Sequence, residues 1–103
     1  MPENLTEEAF KQHLNTKFRV RVETPRPLEL ELVEVKGYAP LPDEQRRMER
    51  FSAFFQGPPD MLLHQGMHTL EHEAFGELLL FLVPVAQNES GFRYEAVFNY
   101  FRE

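Results

Sequence analysis

His64, His68 and His72 recur at intervals of four beside Glu71 and Glu73, and imidazoles and carboxylates are the ligand types of a zinc site. On a helix that spacing would converge on one ion. Gly66, Thr69 and the flanking turn residues instead read as a strand, in which His68 and His72 share a face with Leu70 between them. Along an ideal strand they stand about 13 Å apart, too far to share a metal. No metal site is therefore expected, and the absence of cysteine removes thiolate ligands and thiol nucleophiles as well. The two serines, Ser52 in a Phe-rich stretch and Ser90 in a turn, lie in no nucleophile-elbow sequence. The five glycines form no phosphate-cradling cluster, and Glu29, Glu31 and Glu34 read as solvated strand positions. No catalytic residue and no cofactor follow from these patterns, which favour a non-enzymatic role.

The aromatic residues offer a second kind of chemistry. Phe51, Phe54, Phe55, Phe92, Phe98 and Phe101 exceed what one face of a thin sheet requires. Most belong in a core, and the surplus, Phe54, Phe55 and Phe101, makes candidates for contact with another protein or a second copy of the chain. The competing reading is a small-molecule-binding domain or enzyme with an interior pocket that uses His64, His68 or Tyr94. Arg46, Arg47 and Arg50 form the one basic concentration, but Asp43, Glu44 and Glu49 are interleaved with them, as in a solvated loop.

The elements that must position these groups are mostly strands. Thr6 caps an expected short helix over residues 6–14, with Glu7 and Glu8 at its positive end, Phe10 and Leu14 on one stripe, and Asn15 as its stop. From Lys17 the period becomes two: Phe18, Val20 and Val22 alternate with charged residues, and Leu28, Leu30 and Leu32 resume the pattern beyond Pro25 and Pro27. A hairpin with Val22 opposite Leu28 would set Arg21 against Glu29 and Arg19 against Glu31. The apolar parity flips after Leu32, which predicts a bulge at Leu32-Val33. Residues 37–50 read as a loop with a charged helical turn. Six strands are expected over residues 17–23, 28–36, 51–56, 67–73, 77–86 and 92–101. Residues 78–83 are apolar on both faces, which suits a central strand or one covered by the helix, and Pro84 marks a bulge or an exit from pairing. Short links with no crossover helix imply antiparallel pairing, in a small mainly β domain, a barrel or sandwich with one N-terminal helix, spanning residues 1–103.

Composition narrows the partners. A chain of 103 residues with 42% hydrophobic residues matches one small globular domain. Seventeen acidic against eleven basic residues leave a formal charge of -6, which opposes phosphate binding and disfavours nucleic acid. The N-terminus lacks the basic and apolar stretches of a signal peptide, and the longest apolar run, residues 78–86, is too short to span a bilayer, so a soluble cytoplasmic protein is expected.

Several segments together resemble a known family: Phe51-Ser52-Ala53-Phe54-Phe55-Gln56-Gly57-Pro58, Gln65-Gly66 leading into Leu70-Glu71-His72, Gly76-Glu77-Leu78 with Phe81-Leu82-Val83-Pro84-Val85, and Tyr94-Glu95-Ala96-Val97-Phe98-Asn99. The family comprises small uncharacterised bacterial domains of about this length, and the resemblance covers nearly the whole chain. His68 stands where the pattern has Tyr, and Glu73 where it has Pro. The resemblance implies no reaction, cofactor or catalytic residue. It does imply an association with phage-tail-like proteins, for which an assembly role would suit a small antiparallel domain.

Overall fold

The computed structural model describes residues 5–22, 27–38 and 48–101, without the side chains of Met48 and Phe101. Residues 39–47, which hold Arg46, Arg47 and most of the expected charged turn, lie outside the described residues. The one helix, α1 (Glu7–Gln12), is capped as its sequence requires, the Thr6 Oγ1 accepting from the Ala9 N–H at 3.1 Å. It ends at Gln12 with His13 as its C-cap, two residues short of the expected boundary, and Asn15, in the turn that follows, adopts the left-handed region at φ 69°, a conformation Asn tolerates, its N–H donating to the Leu32 carbonyl at 2.7 Å. The strands are β1 (Lys17–Val20), β2 (Leu28–Gly37), β3 (Met48–Gly57), β4 (Gly66–His72), β5 (Gly76–Asn88) and β6 (Gly91–Phe101). The third begins three residues earlier than its sequence suggests, because Met48, Glu49 and Arg50 extend the ladder to β6 opposite Phe101, Tyr100 and Asn99. No described helix is long and apolar enough to cross a membrane.

All pairings are antiparallel, and the order β1-β2-β3-β6-β5-β4 closes into a barrel-like ring where β1 meets β4. Two irregularities fall where the sequence predicts them. Val33 is the extra residue between Leu32↔Phe55 and Glu34↔Phe54, which reconciles the two apolar parities of β2. Val85 plays the same part between Pro84↔Tyr94 and Ala86↔Arg93, beside the proline that donates no ladder hydrogen bond.

The first hairpin corrects the expected register. Val20, not Val22, lies opposite Leu28, so Arg19 faces Glu29 and Lys17 faces Glu31. A slide by two keeps every side chain on its face, so the apolar pattern cannot distinguish the two registers. What distinguishes them is tertiary: the Arg21 N–H donates to the Thr69 carbonyl at 2.8 Å, and its guanidinium reaches both Glu71, at 2.7 Å, and Glu77. Two carboxylates on β4 and β5 replace the single one expected on β2, and Arg21 contributes to closing the ring. Arg21 in turn holds the Glu71 carboxyl below its usual range.

The interior is filled by side chains. Phe18, Leu30, Phe55, Leu70, Leu82 and Tyr94 are buried within the ring. One end is plugged by Phe10 of α1, whose ring lies 4.7 Å from Phe75 and 5.1 Å from Phe98, centre to centre. The other is covered by the link after β3, where Leu63 is buried and its N–H donates to the Tyr94 hydroxyl at 2.9 Å. Burial raises the Tyr94 pKa, which keeps the phenol neutral. Tyr94→Phe removes the acceptor and leaves a buried N–H unpaired, so we expect a loss of about 1–3 kcal/mol in urea unfolding. An unchanged midpoint would mean that Leu63 finds another acceptor.

Candidate interaction face

The three histidines do not form one group. His64 is exposed, and the His68 Nε2 lies 2.8 Å from the His64 carbonyl oxygen. His72 is buried on the inner face with Leu70, as the period of two requires. Among the described residues no three His, Asp or Glu side chains are grouped to hold a metal. The Tyr94 hydroxyl accepts from the N–H of Leu63, the residue before His64.

His72 sits in a fixed hydrogen-bond chain. Its Nδ1 accepts from the Ala74 N–H at 2.9 Å and from the Phe75 N–H at 3.4 Å, so the proton resides on Nε2. That Nε2–H donates to Thr16 Oγ1 at 2.9 Å, and Thr16 donates to the His13 carbonyl at 2.6 Å. The ring lies against Phe18 at 4.2 Å and near His13 at 5.1 Å. Burial, with a smaller contribution from His13 and against the pull of Glu73, lowers its pKa below the ordinary value of 6.5. Between the lowered folded pKa and the unfolded one the unfolded chain binds more protons, so the stability His72 contributes is complete above about pH 6.5 and declines as the pH falls below it. Wild type should lose thermal midpoint between pH 7.5 and 5 more steeply than His72→Gln. Parallel curves would contradict the assignment.

The aromatic candidates divide by parity. Phe55 is fully buried beside Phe18, which assigns it to the core and corrects its expected place on a contact surface. Phe54 lies on the outer face, half-buried beneath the Arg93 guanidinium at 4.7 Å, and Arg93 also pairs with Glu34. The backbone of Phe101 ends β6, and its side chain lies outside the description.

The outer surface that stands open is a different one. Of the two readings of residues 78–83, a central strand or one covered by the helix, the ring order places β5 between β4 and β6, while α1 plugs the end of the ring instead of lying over the sheet. Leu78, Leu80 and Leu82 are buried, whereas Leu79 and Phe81 are 63% and 47% exposed. Met67, directly opposite Phe81 on β4, is 55% exposed, and Val97 on β6 is 64% exposed. Four apolar side chains thus share the outer face of β4, β5 and β6. The outer face of β1, β2 and the adjoining end of β4 and β5 is charged, with Lys17–Glu31 at 3.4 Å and the Arg21–Glu71–Glu77 group. Such exposed pairs add little stability. Their effect here is to leave the charged half solvated and the apolar half uncovered. Between the halves a relay through the buried Ser52 runs from the hydroxyl of the exposed Tyr38 at 2.8 Å to the Glu95 carboxylate at 2.6 Å. The Ser52 hydroxyl is enclosed and committed, which removes it as a nucleophile.

Val97 interrupts the polar side of β6, formed otherwise by Arg93, Glu95 and Asn99, and this was the sequence signal for the face. A family model described as Domain of unknown function (DUF6916) matches residues 5–98. No curated protein and no solved structure matches the chain.

Proposed function

The chain belongs to this family of unknown function, and we propose that it is a non-enzymatic protein-interaction or assembly module whose contact surface is the outer face of β4, β5 and β6. The observation that carries the reading is the exposure of Met67, Leu79, Phe81 and Val97 together, on a chain whose core is already filled. Apolar residues at these positions do nothing for the folded interior, and they lower solubility unless another chain covers them. The resemblance of the sequence to domains associated with phage-tail-like proteins suits a cytoplasmic assembly of that kind. The net charge of -6 favours a protein over nucleic acid as the partner.

A photo-crosslinking amino acid placed at Leu79, and for comparison at Glu29 on the charged face, tests the proposal in the cell that produces the protein. The expected result is a discrete heavier species from position 79 and none from position 29. Equal or absent crosslinking at the two positions would reject the face as a contact surface.

A further inference from the structure

The backbone beneath this face is only partly paired. Among the described residues, β5 pairs with β4 over residues 76–82 and with β6 over residues 83–88, never with both at the same position. Strand β6 pairs with β5 over residues 91–95, while residues 96–99 pair with β3 alone. The two strands are therefore joined at Val83↔Glu95 and part beyond it, leaving two lips, residues 76–82 and residues 96–99. In an antiparallel ladder alternate residues turn their N–H and C=O groups to opposite sides, so each lip directs a row of donors and acceptors into the opening. Such a row is a template for another strand.

Side chains on the lips fit the same occupant. Leu79, Phe81 and Val97 stand outside the opening at positions where an added strand would set its own alternate side chains. Glu77 on the β5 lip is paired with Arg21, and the carboxylate nearest the opening is Glu95, at the point where the strands join, on a chain of net charge -6. A second copy would bring the same charge toward this one, which disfavours it. We propose that the opening between β5 and β6 accepts an extended segment of a different protein as an added strand along residues 96–99, a segment apolar at alternate positions and flanked by Lys or Arg. The inference rests on the contact face proposed above and specifies what occupies it.

A random twelve-residue peptide display library, panned on the full chain, supplies the probe. Recovered peptides are expected to alternate apolar residues between basic flanks. A synthetic copy should lose at least tenfold in affinity when alternate amides along one edge are N-methylated, and also on Val97→Lys in the protein. Leu79→Lys, on the other lip, serves as a second variant, and thermal unfolding verifies that each variant is folded. Peptides with helical spacing or acidic flanks, or ones indifferent to N-methylation, would overturn the added strand while leaving the contact face standing. Binding unaffected by both lysine variants would overturn the face as well, and failure to enrich any peptide would overturn the added strand.

Discussion

Phe10→Ala is expected to lower the unfolding free energy by about 3–5 kcal/mol, the cost typical of removing a fully buried aromatic ring. The ring is completely enclosed and lies among Phe18, Phe51, Phe75 and Phe98. Six helical residues are far too few to hold a helix in water, so α1 depends on this anchor and on the buried Leu5 nearby. Losing the anchor would uncap the end of the ring as well as leave a cavity. Urea unfolding of Phe10→Ala, alongside exposed Glu8→Ala on the same helix, separates anchoring from helix propensity. The second variant should stay within about 0.5 kcal/mol of wild type. Similar losses in both would mean that α1 contributes through its own stability and not through its plug.

Gly91→Ala should be comparably damaging, by about 4 kcal/mol or more, for a reason that lies in the backbone. Gly91 opens β6 at φ 133°, a region that side chains other than hydrogen rarely allow. A Cβ there would fall 1.9 Å from the Gly57 carbonyl oxygen and 2.8 Å from the Pro58 carbonyl carbon. Both obstacles are main chain, so no rotamer change relieves them, and the turn joining β5 to β6 would have to move away from the end of β3. Gly76 provides the contrast. It is also left-handed, at φ 74°, but has open space around it, so Gly76→Ala should cost only the conformational penalty of about 1–2 kcal/mol. Equal effects at the two sites would show that the close approach at Gly91 is absent in solution.

What was legible in the sequence was local. The Thr6 cap, the bulges at Val33 and Val85 and the alternation of β6 each depend on residues within a few positions of one another. The register of β1 was not legible, because Arg21 is claimed by Glu71 and Glu77, about fifty residues away, and a slide by two is silent in the apolar pattern. Nor was the division between Phe54 and Phe55. Adjacent strand residues must point to opposite faces, yet two phenylalanines in succession do not say which face is inside until β2 and β6 are placed beside them. Which face of β5 stays open was not legible for a related reason. Residues 78–83, apolar on both sides, look like a strand buried on both, and only the position of α1 at the end of the ring shows that one side goes uncovered.

The added strand, which gives the contact face its occupant, depends on β6 keeping part of its backbone open, and amide hydrogen exchange followed residue by residue tests that most directly. Residues 92–95, flanked by both β3 and β5, should be protected without interruption. Residues 96–99 should alternate, with amides that face β3 slow and those that face β5 exchanging orders of magnitude faster. Unbroken protection from 92 through 99 would mean that β5 and β6 zip together along their whole length, leaving no opening for a partner strand.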